Sequence, residues 1–218
     1  MYNKNNVANV PPMGWNSYDY YNTTVNEEQV RANAEYMAKN LKEFGWEYVV
    51  IDIQWSDPNA GKRNGENIQY IPFSQFCMDE YSRQIPAPNR FPSSANGAGF
   101  KPLADYIHSL GLKFGIHIMR GIPRIAAHNH LPIKTHDGTK ITADMIANPY
   151  SLSRWNPDMY GVDASKTYAQ DYYDSIFELY AEWGVDFVKI DDICNTNMYP
   201  ANPYSAEKEI EMISAAIE

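Results

Sequence analysis

The segment Asp186-Phe187-Val188-Lys189-Ile190-Asp191-Asp192 decides the fold prediction. It is an apolar run that holds one lysine and ends in two carboxylates. A continuous run of large apolar residues is typical of a strand that is buried on both faces, as in a parallel sheet. Polar groups that follow such a strand lie at its carboxyl end, where parallel α/β proteins place their sites. The segment therefore predicts a parallel strand that leads into a functional site.

The same order of helix, strand and polar residues recurs along the chain. The capping-box spacing of Thr24 and Glu27 predicts the start of the first long helix. A last helix is predicted over residues 206–216, with Ser205 as its N-cap. Two more helices have apolar residues at helical spacing, from Phe100 to Leu110 and from Tyr168 to Trp183. The other predicted strands are short apolar runs at residues 13–17, 48–51 and 113–118.

Successive βα units of this kind predict a parallel sheet, either doubly wound or closed into a barrel. The longest loops follow the strand ends that carry polar residues, which favours an enzyme barrel. The first strand is not followed by a Gly-rich phosphate loop, which weakens the nucleotide-binding alternative. Because a (β/α)8 barrel takes roughly 250 residues, residues 1–218 are predicted to form the first four βα units of one truncated catalytic domain.

Half a barrel would leave the fourth strand with an open edge. Open strand edges pair with other chains. We therefore expect the 218-residue chain by itself to aggregate and to be inactive.

Composition and charge exclude several classes of partner. The net charge is −9 and no basic run is present, which argues against nucleic acid. No apolar stretch approaches the roughly 18 residues of a membrane helix, and the first residues lack the apolar segment of a signal peptide. The prediction is a cytoplasmic protein as given, or a secreted or periplasmic one if a leader was trimmed. The 17 tyrosines and 5 tryptophans suit stacking against sugar rings.

We expect no metal and no cofactor. Cys77 and Cys194 have no metal-ligand spacing and imply no disulfide framework. His128, His130 and His136 lie in a loop without an accompanying carboxylate set, which favours solvated side chains over a metal site.

Three predicted strand ends carry the candidate functional residues. They are Asp52 with Trp55, His117 with Arg120, and Lys189 with Asp191 and Asp192. A retaining hydrolase of glycosidic bonds needs one carboxylate to attack the anomeric carbon and a second to protonate the leaving oxygen. Asp191 suits the attacking role because a nearby ammonium keeps a carboxylate ionised.

Each of these residues also has a structural interpretation. Asp192 could be a helix N-cap or a turn residue. His117 could be hydrogen-bonded packing, a ligand of a sugar hydroxyl or a proton carrier. Arg120 could clamp an anionic group or pair with an acidic loop.

Several motifs, in order along the chain, resemble glycoside hydrolase family 27, which holds α-galactosidases, α-N-acetylgalactosaminidases and some isomaltodextranases. The matching segments are Pro12-Met13-Gly14-Trp15-Asn16-Ser17, Tyr48-Val49-Val50-Ile51-Asp52 with Trp55, Asn89-Arg90-Phe91-Pro92, residues 103–109, residues 111–116 and residues 183–191.

The resemblance implies a (β/α)8 domain that retains anomeric configuration without a metal. It assigns Asp191 as the nucleophile, and Lys189 and Asp52 as ligands of sugar hydroxyls. The family's acid/base is an Asp after the sixth strand, which is expected beyond residue 218. The predicted substrate is an oligosaccharide or polysaccharide with a terminal α-linked sugar. The alternatives are an isomaltodextranase-like or other α-glycan hydrolase, a non-catalytic carbohydrate-binding barrel, and a nucleotide- or flavin-dependent barrel enzyme.

The sequence departs from the typical galactosidase pattern at four positions. Ile53 replaces the second of two adjacent aspartates, Tyr18 replaces a Trp and His117 replaces a Tyr, while the cysteine after the nucleophile is Ile193. Tyr18 and His117 join the predicted substrate-binding residues. Losing one acceptor at Ile53 weakens discrimination between sugars. A galactoside is the first choice of substrate, followed by an α-glucan or another pyranoside.

Overall fold

The computed structural model describes residues 10–61, 70–194 and 206–218. Its main sheet has four parallel strands in the order in which they occur along the chain. They are β1 (Gly14–Asn16), β2 (Tyr48–Ile51), β3 (Lys113–Met119) and β7 (Phe187–Asp191). The predicted strands are therefore present and parallel, which confirms an α/β architecture. The closed barrel remains a prediction.

The helices connect these strands and cover the sheet. They are α1 (Tyr18–Tyr21), α2 (Glu27–Asn40), α3 (Lys101–Ser109), α4 (Arg124–His128), α5 (Ala143–Ile146), α6 (Ala169–Trp183) and α7 (Glu207–Ile217). Short 3-10 turns lie at Lys42–Phe44 and Pro92–Gly97. The predicted N-cap Ser205 lies outside the described residues. None of the described helices is long and apolar enough to cross a membrane.

Helix α2 does not begin with the predicted capping box. Its N-cap is Asn26, whose side chain accepts from the Gln29 N–H while the Gln29 side chain accepts from the Asn26 N–H. The Thr24 hydroxyl instead donates to the Tyr21 carbonyl. Glu27 is buried in the first turn, where it accepts from Arg31 and from the Ser93 N–H. Thr24 and Glu27 have the right spacing, but both side chains have other partners.

A continuous apolar core fills the space between the sheet and helices α2, α3 and α6. Its centre is a cluster of aromatic rings in edge-to-face contact. Phe100 packs against Trp55 at 5.3 Å, Phe91 at 5.2 Å and Trp183 at 5.7 Å between ring centroids. This cluster fixes helices α3 and α6 against the sheet and so sets the positions of the strand ends.

The long excursion between β3 and α6 contains a second sheet that the sequence did not predict. It has three antiparallel strands in the order β4-β6-β5. They are β4 (Ile122–Pro123), β5 (Ala147–Leu152) and β6 (Met159–Val162). These strands are short, two of them contain a proline, and the β5–β6 pairing shifts register between Asn148 and Leu152. No sustained alternation therefore exists for a sequence pattern to reveal.

Candidate active site

The carboxyl ends of β2, β3 and β7 meet at one edge of the main sheet. In the β3–β7 register His117 lies opposite Lys189, and Met119 lies opposite Asp191. A pocket of about 190 Å³ opens at this edge. It is lined by Tyr18, Asp52, Ile53, Tyr70, Trp155, Lys189 and Asp191. Four of the residues predicted to act on substrate (Tyr18, Asp52, Lys189 and Asp191) therefore line one cavity.

Asp191 is the last residue of β7, and its side chain is 36% exposed. The Nε2 of His117 lies 3.2 Å from Oδ2 of Asp191, and the Asp192 N–H donates to Oδ1 at 2.8 Å. The hydrogen bond from His117 lowers the pKa of Asp191 most strongly. The Asp192 N–H and electrostatic interactions with His117 and Lys189 add to the lowering, against the opposing effect of burial. Asp191 is thus an ionised carboxylate that faces open space.

Asp52 follows β2 and is only 2% exposed. Its Oδ2 accepts from Lys189 Nζ at 2.8 Å and from Asn16 Nδ2 at 2.6 Å, and its Oδ1 accepts from the Ile53 N–H at 2.8 Å. Burial raises the pKa of Asp52, but the electrostatic interaction with His117 and these donors outweigh it and lower the pKa overall. An ionised carboxylate has no proton to give, so Asp52 suits hydroxyl binding and not general acid catalysis.

Ile53 forms an apolar part of the pocket wall. It is 4% exposed and packs in a small hydrophobic cluster with Phe76, Met119 and Met159. Tyr18 and Tyr70 pack against the same cluster. The residue that replaces the second aspartate is therefore supported by further apolar side chains behind it. Among the described residues, Ile53 and the apolar side chains behind it offer no hydrogen-bond partner for a substrate hydroxyl.

Tyr70 and Trp155 line the pocket although the sequence did not single them out as site residues. They come from two separate long loops, and their rings meet edge to face at 5.4 Å. Burial raises the pKa of Tyr70 far above its ordinary value, and a hydrogen bond with Tyr18 adds to the effect. Trp155 remains 39% exposed. The sequence hint was the presence of large aromatic residues in loops otherwise rich in Pro and Asn.

His117 lies directly behind the pocket. Its side chain is 2% exposed, and its ring nitrogen reaches Asp191. The predicted residue is therefore next to the nucleophile candidate, although it does not line the cavity itself. It is placed to orient Asp191 through a hydrogen bond rather than to meet a sugar directly.

Trp55, Arg120 and Asp192 were predicted to bind substrate, and the structure does not bring them to the pocket. Trp55 is 2% exposed and sits in the aromatic core, where its indole N–H donates to the His117 carbonyl at 2.6 Å. Arg120 and Asp192 are buried and pair with each other at 3.0 Å. Trp55 is therefore part of the hydrophobic core, and Arg120 and Asp192 form a buried ion pair.

The described residues of the pocket can bind a polyhydroxylated ring and place a carboxylate where it can attack that ring. Asp191 provides an ionised nucleophile, and the Lys189–Asp52 pair provides donors and acceptors for hydroxyl groups. Tyr18, Tyr70 and Trp155 provide aromatic surface. Within the described residues no group of three or more His, Cys, Asp or Glu side chains is arranged to hold a metal ion.

Comparison with known proteins identifies close relatives of this arrangement. A β-L-arabinopyranosidase of glycoside hydrolase family 27 from Geobacillus stearothermophilus is 58% identical, with a TM-score of 0.87, over 97% of this chain. A substituted form of that enzyme has been solved in complex with arabinose. A protein from Bacillus halodurans C-125, with a proposed α-N-acetylgalactosaminidase activity, is 56% identical over 95% of this chain, with a TM-score of 0.85.

The α-galactosidase of Coffea arabica is 28% identical over 92% of this chain. The chain spans 46% of each of the two bacterial proteins and 37% of the coffee enzyme. It is thus less than half the length of these relatives. No protein-family model matches the chain.

Proposed function

We propose that this chain, which belongs with glycoside hydrolase family 27 over nearly its whole length, supplies the nucleophile of a retaining glycosidase of the α-galactosidase type. The observation that carries the proposal is the state of Asp191. It is ionised, hydrogen-bonded on both oxygens, and open to a pocket with a Lys–Asp pair beside it. A nucleophile must be held in this way to attack in line with the leaving group.

The proposed reaction has two displacements. An Asp191 oxygen attacks the anomeric carbon, the bond to the leaving oxygen breaks, and that oxygen takes the electron pair and a proton from an acid group. Water then attacks the glycosyl–Asp191 ester and gives its proton back to the same group, so the configuration is retained. We place this acid/base after the sixth strand of the proposed barrel, beyond residue 218. Asp52 does not fill the role because it is already ionised and engaged by Lys189 and Asn16.

We propose that the rest of the barrel supplies the other residues around this pocket. In a (β/α)8 barrel further parallel strands lie beyond β7 and return to β1, so their carboxyl ends complete the rim around the same pocket. The relatives' greater length supports this proposal, since each is at least twice as long as this chain.

For the sugar, we propose a pyranose of galacto configuration without the hydroxymethyl group at C5, which is the β-L-arabinopyranosyl unit. Its ring hydroxyls are arranged as in an α-D-galactosyl unit, so Asp52 and Lys189 serve both. The two sugars differ in the C5 substituent, which we place against Ile53. A hydroxymethyl group there would lose its hydration against an apolar wall without gaining a partner. The 58% identity to a β-L-arabinopyranosidase supports this choice over a galactoside.

The first test is covalent labelling of the complete gene product with fluorinated arabinosyl, galactosyl and glucosyl inactivators. We expect one added sugar by intact mass, located on the peptide that contains Asp191, with fastest labelling by the arabinosyl compound. Fastest labelling by the glucosyl compound would instead support an α-glucan hydrolase. A folded protein that binds a sugar without forming any adduct would support a carbohydrate-binding barrel and refute the glycosidase.

The second test addresses the sugar alone. Ile53→Asp restores an acceptor to the pocket wall and is expected to raise the ratio of galactoside to arabinoside kcat/KM by at least about tenfold, because a new hydrogen bond to a hydroxyl is worth roughly that much. Ile53→Val is the matched control and should leave the ratio unchanged. An unchanged ratio in folded Ile53→Asp would show that the C5 substituent lies elsewhere.

A further inference from the structure

Asp192 follows the proposed nucleophile with an unusual backbone conformation. Its φ of 62° lies in the left-handed region, which a residue with a Cβ seldom occupies. In that conformation its N–H points back to Asp191 Oδ1, at 2.8 Å. A hydrogen bond that fixes the nucleophile therefore depends on a disfavoured conformation being held in place.

Arg120 holds that conformation through three separate contacts. Its Nε donates to the Asp192 carbonyl at 2.7 Å, its Nη2 lies 3.0 Å from the Asp192 carboxylate, and its own backbone N–H donates to the Asp191 carbonyl at 3.2 Å. The Arg120 side chain thus binds both the backbone carbonyl and the side-chain carboxylate of Asp192. The planar guanidinium can do this because its donors form a rigid fork.

The guanidinium is itself fixed by groups from outside the main sheet. Its Nη1 donates to Glu209 of α7 at 3.1 Å and to Ser151 of β5 at 3.0 Å. Glu209 also accepts from the Tyr173 hydroxyl of α6 at 2.7 Å and from a backbone N–H of β6. Arg120, Asp192 and Glu209 are each no more than 3% exposed. A Cβ at Gly161 would come within 2.8 Å of Nη1, so the backbone is closely fitted to the guanidinium.

We propose that Arg120 is a positioning residue for catalysis, which orients the Asp191 carboxylate by clamping Asp192 in the left-handed conformation. The proposal rests on the proposed function of Asp191. It assigns to the second sheet and to α7 a role in the reaction, because Ser151 and Glu209 fix the clamp. Arg120 touches no substrate, and its effect passes entirely through Asp192.

The groups that face the Asp191 carboxylate are His117 on β3, Lys189 on β7 and Asp52 after β2. The Arg120 guanidinium is instead bound to Asp192, Ser151 and Glu209. A change at Arg120 can therefore be separated from a change in the charges that surround the nucleophile.

Arg120→Lys in the complete gene product is the main test, because it keeps the charge between two carboxylates but cannot bind the Asp192 carbonyl and carboxylate together. We expect kcat and the rate of fluorosugar trapping to fall about 10- to 100-fold from misorientation of the nucleophile. KM should change by less than about threefold, since substrate contacts remain. The acid limb of kcat/KM should move up by about one pH unit as the Asp192 N–H bond weakens.

Arg83→Lys is the matched control. Arg83 is also a poorly exposed structural arginine, paired with Asp79 at 2.7 Å and bound to the Ser175 carbonyl, but it makes no contact with the pocket residues. Arg83→Lys should be less stable than the wild type, but the acid limb of its kcat/KM profile should not move.

A second pair of variants keeps the test decisive if Arg120→Lys does not fold. Asp192→Gly and Asp192→Ala both remove the carboxylate, but only glycine takes a positive φ without strain. The clamp predicts faster trapping in Asp192→Gly than in Asp192→Ala. Equal trapping rates, or a folded Arg120→Lys with unchanged kcat and acid limb, would overturn the proposal. Wild-type protein that takes no label on Asp191 would refute the glycosidase function and the clamp with it.

Discussion

Each end of the main sheet has one lysine–carboxylate pair and one histidine–carboxylate pair, but the two ends differ in how far these pairs are buried. At the amino end, Lys113 pairs with Glu47 and His108 pairs with Asp186, both at 2.8 Å or less, and all four side chains are 37–47% exposed. At the carboxyl end, Lys189 pairs with Asp52 and His117 pairs with Asp191. There one partner of each pair is 2% exposed and the other is 36–41% exposed.

Under the proposed function, this difference separates structural ion pairs from those that act on substrate. Water screens both members of an exposed pair, so the pair contributes little to stability or to binding. At the carboxyl end the buried member of each pair fixes the position of its partner. The partly exposed partner, Lys189 or Asp191, directs its remaining hydrogen-bonding groups into the pocket. The arrangement is what a ligand needs, because charges are held in place before the ligand arrives.

The largest expected effect comes from breaking the His117–Asp191 pair at the nucleophile. Asp191→Asn in the complete gene product should lower kcat/KM by at least about 10⁴-fold, because a neutral amide replaces the anionic nucleophile. The matched control is Asp186→Asn, which alters the exposed His–Asp pair at the other end and should leave activity within about threefold. Steady-state kinetics on an aryl glycoside, with circular dichroism to check folding, measures both. Comparable losses in the two variants would remove the distinction between the sheet ends.

The lysine pairs should show the next largest contrast. Lys189→Met should reduce kcat/KM about 100-fold, because a fixed donor to substrate is lost and Asp52 is left with fewer partners. It should also destabilise the fold by about 1–2 kcal/mol, discounted from a fully buried pair because Lys189 is 41% exposed. Lys113→Met should cost less than about 1 kcal/mol and no activity. Urea unfolding and kinetics on the same samples make the comparison.

Replacing the histidines sharpens the comparison through pH. His117→Phe removes the strongest cause of the lowered pKa of Asp191, so the acid limb of kcat/KM should move to higher pH, with about a tenfold loss at neutral pH. His108→Phe should leave the pH profile where it is in the wild type. An unmoved acid limb in folded His117→Phe would mean that Asp191 does not depend on this hydrogen bond.

The smallest expected effect is on stability in acid. Asp52 and Asp191 have lowered pKa values in the folded chain, so their stabilisation is fully present above the ordinary aspartate pKa of about 3.9. It is lost as pH falls through the lowered values. The urea midpoint of Asp52→Asn should therefore fall less steeply with acid than that of the wild type. A Glu47→Gln control that flattens the curve equally would contradict the assignment to the buried carboxyl end.

Much of the main sheet was readable from the sequence because its strands are continuous apolar runs with sharp ends. The predicted strand 48–51 matches β2 at both ends, and Phe187–Asp191 falls inside the predicted segment. The second sheet was missed because its pairing is irregular and its strands are only 2 to 6 residues long. Pattern methods need several alternations before a strand becomes visible.

Only part of the candidate site could be predicted from the sequence. Asp52, Lys189 and Asp191 could be found because each sits at the end of a predicted strand. Tyr70 and Trp155 could not, since two loops 85 positions apart meet only in the folded chain. For Arg120 the sequence left open whether it clamps an anionic group or pairs with an acidic loop, and the structure pairs it with Asp192 and Glu209.

The sequence by itself determined the order of helices and strands, the edge of the sheet at which polar groups gather, and the identity of the candidate nucleophile. These features depend on neighbours along the chain, whose spacing fixes the face and the end at which a side chain lies. Only the tertiary structure decided that Trp55 packs in the core, that Arg120 and Asp192 form a buried pair and that Ile53 joins an apolar cluster. Burial and pairing depend on residues distant in sequence, and a polar side chain forms whichever contacts the packed fold brings within reach.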